Sequence, residues 1–195
     1  MPRTTRTFIA LPVPKPLKAK LERLQRLIAP DLPGARWVEP EAFHLTLAFL
    51  GDVDDTDLNP LCKAVAAAAA GHGPVGLVLK GLGAFPDPAS PRVLWAGIEG
   101  DLDPLGAIQR AVFAAAAGAG YRPDDDRFHP HITLGRLKVG REAAPDASAL
   151  VAHYRNWIAG HYNADTVVTY TSSRTPEGVL YAPLGLAPLA NRNDA

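Results

Sequence analysis

The feature that most constrains this chain is a short strand pattern that occurs twice. HLTL spans residues 44–47 and HITL spans 131–134, so the two histidines lie 87 positions apart (131 minus 44). The longer windows, H-L-T-L-A-F-L and H-I-T-L-G-R-L, share the His, the Thr and two leucines. In a strand successive side chains point to opposite faces. His44 and Thr46 therefore share one face with the small Ala48, while Leu45 and Leu47 form an apolar back with Phe43 and Phe49. The second copy reads the same way, with His131, Thr133 and Gly135 in front and Ile132 and Leu134 behind. Small residues after each Thr are expected to leave room for something to approach.

The rest of the chain alternates strand and helix patterns around these copies. RTFIALPV (6–13) reads as a strand closed by Pro14 and Pro16. Residues 17–28 place Leu17, Leu21, Leu24 and Ile28 at helical spacing. Asp52 to Asp57 offers caps for a helix through LCKAVAAAAA, stopped by Gly71 and Gly73. VGLVLKGLGAF and RVLWAGIE read as strands, followed by an alanine-rich helix over roughly 103–118. A helix is expected around 147–158, then the strands DTVVTYTSSR and VLYAPLG joined by TPEG, and a frayed tail, ANRNDA. AVAAAAAGHG and AVFAAAAGAG echo one another, as the two motifs do. The expectation is an α+β fold in which residues 1–195 form a single domain of two pseudo-symmetric lobes. Each lobe is an antiparallel sheet backed by helices, and the two surround a central cleft.

Lys+Arg and Asp+Glu balance at 20 each, which argues against coating long stretches of nucleic acid but leaves room for recognising one phosphate or one strand end. The single cysteine, Cys62, excludes an internal disulfide framework and a cysteine-based zinc cluster. The opening stretch is too short and too Pro-broken for a signal peptide or a membrane span. A soluble, cytoplasmic, monomeric protein without a membrane partner is expected. No G-x-x-x-x-G-K-[ST] motif occurs, so no ATP requirement is expected.

One H-x-T strand would mean little, since a half-exposed polar strand face is common. Two that face each other would gather two imidazoles and two hydroxyls in one cavity, and that set suits a phosphodiester. Histidine titrates at about 6.5, so one ring can take a proton from water while the other protonates a departing alkoxide. The threonine hydroxyls can donate to the non-bridging oxygens, where negative charge must be stabilised. His129, two residues before His131, could suggest a metal pair, but no matching cluster accompanies the first copy, so no metal is expected. His72, His153 and His161 read as ordinary surface residues.

These residues resemble the 2H phosphoesterase superfamily and, within it, the RNA 2′,3′-cyclic phosphodiesterases long called 2′-5′ RNA ligases. RTFIALPVP resembles the family's opening strand, WVEPEAFHLTLAFLG its first motif block and FPDPASPRVLWAG its middle segment. RFHPHITLGRL resembles the second block and SSRTPEGVLYAPLG the closing hairpin. The resemblance implies a metal- and cofactor-independent enzyme that opens the terminal 2′,3′-cyclic phosphate of RNA, or of a short nucleotide, to a 2′-phosphomonoester. It puts His44 and His131 in catalysis, His44 as general acid to the leaving 3′-oxygen and His131 as general base on water. It puts Thr46, Thr133 and Arg136 on the phosphate, and Phe128 as a stacking surface for a base. Strict alternation would turn Arg136 to the back, so this reading needs a bulge or strand end at Gly135. Arg92 and Trp95 match the middle block without a site role. Three other readings are open: ATP-independent 2′-5′ ligation, hydrolysis of a small cyclic-phosphate or 2′-5′ nucleotide metabolite, and a binding module without turnover.

Overall fold

The computed structural model describes residues 3–123, 128–137, 145–175 and 178–190. The chain runs β1 (Thr4–Pro12), α1 (Lys15–Ile28), β2 (Arg36–Trp37), β3 (His44–Asp54), α2 (Leu58–Ala69), β4 (Val75–Phe85) and β5 (Val93–Gly100). It continues through α3 (Leu102–Gly118), β6 (His131–Arg136), α4 (Ser148–Tyr154), β7 (Ile158–Ala164), β8 (Thr166–Thr175) and β9 (Gly178–Pro188). The strands form two antiparallel sheets, in the orders β3-β1-β8-β9 and β2-β6-β5-β4-β7. The α+β architecture with one motif strand per sheet matches the expectation.

The sheets do not follow the halves of the chain. β4, which comes after the first motif strand, pairs with β5 in the second sheet, while β8 and β9 from the chain's end complete the first sheet beside β1. The helix expected over 147–158 ends at Tyr154, and Ile158–Ala164 is a strand paired along β4. IAGHYNA carries Ala and Gly, which favour strands weakly, so partner pairing and not local preference makes β7. Residues 191–195 of the expected tail lie outside the described residues.

Both motif strands carry the same irregularity. Along β1 and β3, Ala10 faces Thr46 and Ile9 faces Ala48; along β5 and β6, Trp95 faces Thr133 and Leu94 faces Gly135. In each case one strand advances two residues while its partner advances one, so Leu47 and Leu134 are the extra residues of matching bulges. A bulge reverses the parity of the residues beyond it. Phe49, placed by strict alternation on the apolar back, lines the cleft instead, and Arg136 takes the equivalent place in the second strand. Ala48 and Gly135, expected at the front, are both buried. A Cβ at Gly135 would lie 2.9 Å from the Trp37 ring, so the room this glycine leaves is filled by tryptophan and not by a ligand.

Helices pack behind the bulges in a crossed arrangement. α1 buries Leu17, Leu21, Leu24 and Ile28, as their spacing predicted, and also Gln25. The Gln25 amide donates to the carbonyls of Val38 and Leu134, 2.8 Å each. Gln109 on α3, also buried, donates to the Leu47 carbonyl at a longer 3.4 Å. Each glutamine thus serves the bulge of the motif strand in the other half, and L-Q-R in one helix matches I-Q-R in the other. Replacing Gln25 with Leu leaves the Val38 carbonyl without its side-chain partner. Chemical denaturation should show a loss of about 1–3 kcal/mol, larger than for Gln109→Leu; an equal or smaller loss would contradict this role.

Candidate active site

Each motif histidine is oriented by the backbone two residues before it. His44 Nδ1 lies 2.7 Å from the Ala42 carbonyl, and His131 Nδ1 lies 2.7 Å from the His129 carbonyl. A carbonyl only accepts, so Nδ1 carries the proton in both rings. Nε2 is then the nitrogen free to gain or lose a proton. The Ala42 carbonyl is itself held in place: it ends a single 3₁₀ turn, Pro40–Ala42, and the Lys18 ammonium donates to the neighbouring Glu41 carbonyl at 2.8 Å.

Aromatic rings back both histidines. His44 packs on Phe8 with ring centroids 4.7 Å apart and meets Tyr181 edge-on at 5.3 Å. His131 meets Phe85 edge-on at 5.1 Å and lies 6.1 Å from Trp95. These surroundings disfavour a charged ring. Burial lowers the pKa of His44 to about 4, against a partial opposing effect of its Ala42 hydrogen bond, and the nearby charges of His131, Lys18 and Arg136 lower it further. His131 is lowered in the same direction, chiefly by burial, with contributions from His129 and Arg136. In the free protein at neutral pH both rings are therefore neutral.

The cleft has a volume of about 540 Å³ and is lined by His44, Thr46, Thr133 and Arg136 among others. It joins the two sheets, because β3 and β6 lie within contact distance although they belong to different sheets. His131 is not among the lining residues; it lies two residues before Thr133 on the same face of β6, and Thr133 lines the cleft. The expected bulge delivers Arg136. Phe128 is not among the lining residues and packs, half-buried, against the core. Trp95 sits by His131, while Arg92 is exposed and bonds through its backbone to Phe85 and Leu137.

Several lining residues were missed in the sequence: Arg6, Phe49, Ser172, Arg174 and Tyr181. A signal existed for some of them. Arg6 shares parity with Phe8, and Ser172 and Arg174 share parity with Tyr170, but no motif singles them out. Among the described residues no group of three or more His, Cys, Asp or Glu could hold a metal ion, and no helix is long and apolar enough to cross a membrane.

Two antiparallel sheets, each bringing one H-x-T-x strand to a shared cleft, fit a phosphoesterase scaffold. The model of the LigT-like phosphoesterases matches the chain twice, over residues 11–95 and 98–181, and the chain belongs to that family within the 2H superfamily. An RNA 2′,3′-cyclic phosphodiesterase of Methanothermobacter thermautotrophicus is 30% identical over 179 residues, covering 92% of this chain and 96% of the relative. One of the same name from Geobacillus stearothermophilus is 40% identical over 133 residues, 68% of this chain but only 42% of that protein's length. The crystal structure of E. coli LigT complexed with 3′-AMP superposes with a TM-score of 0.75 at 25% identity, covering 96% of this chain and 99% of the other.

The depressed His44 pKa has a consequence for stability. The unfolded chain, with an ordinary histidine, binds a proton below about pH 6.5, whereas the folded ring binds one only near pH 4. Stability is therefore present above pH 6.5 and is lost as pH falls through that window. His44→Gln, which cannot titrate, should gain about 2 kcal/mol relative to the unaltered chain between pH 7 and pH 5. Parallel denaturation curves at the two pH values measure this, and an unchanged difference would contradict the burial.

Proposed function

We propose that the chain hydrolyses the 2′,3′-cyclic phosphate at an RNA end, or on a short nucleotide, to a 2′-phosphomonoester without a metal ion. The observation that carries this reading is the pair of motif strands with matching bulges and Nδ1-anchored histidines. Relatives that cover most of the chain and bear the name RNA 2′,3′-cyclic phosphodiesterase support it. The whole chain would act as one two-lobed unit, since each sheet takes strands from both halves.

In the proposed reaction water attacks phosphorus opposite the 3′-oxygen. His131 Nε2 accepts the proton that water loses as its oxygen bonds to phosphorus. His44 Nε2–H gives its proton to the 3′-oxygen as the P–O3′ bond breaks, which leaves a 3′-hydroxyl and a 2′-phosphate. Thr46 and Thr133 donate to the non-bridging oxygens, and the Arg136 guanidinium faces their charge. Phe128 packs against the core and is not among the residues lining the cleft, so the proposed reaction gives it no role.

A neutral His44 cannot be the donor, so the ring must take up a proton from solvent as the substrate binds. A phosphate anion in the cleft offsets the burial and the cationic neighbours that keep the ring neutral. In the free protein both histidines titrate below the usual value. The kcat/KM profile, which reports the free protein, should therefore peak on the acid side of pH 6.5. The kcat profile should peak at higher pH, because the bound anion raises both pKa values. Coincident optima would contradict this.

Hydrolysis is tested with an RNA ending in a 2′,3′-cyclic phosphate, in excess EDTA. Turnover should persist, and His44→Ala and His131→Ala should each slow it by about 10²–10⁴-fold. Full activity in either variant, or dependence on a metal, would overturn the proposal. The same residues would serve ATP-independent 2′-5′ ligation, in which a 5′-hydroxyl replaces water as the nucleophile and the 3′-oxygen still leaves; it would appear as joined product when a 5′-hydroxyl RNA is supplied.

A further inference from the structure

The proposed chemistry uses one arginine, yet three are found among the described residues that line the cleft. Arg136 stands beside the motif residues, whereas Arg6 on β1 and Arg174 on β8 belong to the first sheet, with Ser172 on the same wall. None of the described lining residues is Asp or Glu. Among the described residues neither Arg6 nor Arg174 makes an ion pair. In a chain whose charges balance at 20 against 20, this concentration is local. Like charges gathered in a concave surface focus a field that attracts an anion.

The position of Arg6 is informative. Ala10 faces Thr46, Phe8 faces Phe49, and Arg6 faces Asp52 along the same strand pair. Arg6 is thus four residues from the level of Thr46, about 13 Å at the usual strand rise. Its guanidinium leans back over the Phe49 ring, 4.8 Å from the centroid, which brings the charge toward a level about 7 Å from the threonine. The aromatic face limits the motion of the guanidinium and leaves its edge free to donate. A guanidinium fork and a serine hydroxyl are donors that fit the oxygens of a phosphate. The spacing is that of a neighbouring group on the same nucleotide chain, too far to share the reacting phosphate.

We propose that Arg6, Ser172 and Arg174 form a subsite for a second phosphate, the phosphodiester on the 5′ side of the terminal nucleotide. The inference rests on the cyclic-phosphodiesterase reading and narrows its substrate class to oligonucleotide ends rather than mononucleotides. It also accounts for a neutral protein recognising RNA, since the contact is confined to the last linkage.

The test compares three substrates: a nucleoside 2′,3′-cyclic phosphate, a dinucleotide with the same cyclic end, and that dinucleotide with an uncharged methylphosphonate linkage. The unaltered protein should show a kcat/KM about tenfold or more higher on the charged dinucleotide than on the mononucleotide. The neutral linkage should remove most of that ratio, and so should the double variant Arg6→Gln, Arg174→Gln. No preference for the dinucleotide, or a preference that the neutral linkage leaves intact, would overturn the subsite. The methylphosphonate comparison needs no variant, so misfolding of the double variant cannot obscure it. If none of the three is turned over, the phosphodiesterase reading fails and takes the subsite with it.

Discussion

The carbonyls of Leu47 and Leu134, each at a bulge in a motif strand and each met by a glutamine from the other half of the chain, set the geometry on which the cleft depends. Without the bulge, alternation would put Phe49 and Arg136 behind the sheets, in the apolar layer that holds Leu45, Leu47, Ile132 and Leu134. A guanidinium there would be buried without a partner, at a cost no small domain tolerates. With the bulge, the chain keeps its oily back and still brings a charge to the front. Gln109 donates to the Leu47 carbonyl, and Gln25 adds a second donor to the Leu134 carbonyl, which also accepts from the Val38 N–H.

The crossing of the two halves follows the same logic. Each sheet takes strands from both halves, and each motif strand is held from behind by a helix of the other half. The strands thereby meet at a seam, where His44, Thr46 and Thr133 line the cleft and His131 shares the face of β6 that carries Thr133. Neither half can complete its sheet alone, so the relative placement of the two imidazoles is fixed by packing and not by a linker.

Much of this was legible in the sequence. The twofold H-x-T-x pattern, the apolar backs and the amphipathic α1 all followed from periodicity; they gave the fold class and led to His44, Thr46 and Thr133, which line the cleft. The features that escaped did so for physical reasons. Parity cannot see a bulge, so Phe49, Ala48 and Gly135 were assigned to the wrong faces, although Arg136 signalled that one was needed. β7 escaped because its residues are weak strand formers that rely on β4. Arg6 and Arg174 escaped because strand order, which brings β8 beside β1, is a long-range property. The glutamines escaped for a similar reason: a polar residue on a helix reads as surface until a carbonyl is found opposite it.

Catalysis as proposed requires that both histidines be held as the same tautomer, neutral in the free protein and able to exchange a proton through Nε2. Nitrogen-15 NMR of the two rings tests this directly, with His44→Gln and His131→Gln used to assign the signals. At pH 7 the free protein should show both rings neutral with the proton on Nδ1, and saturation with a nucleoside 2′-phosphate should convert at least one ring to the doubly protonated form. A ring with its proton on Nε2, or two rings that stay neutral when the phosphate binds, would contradict it.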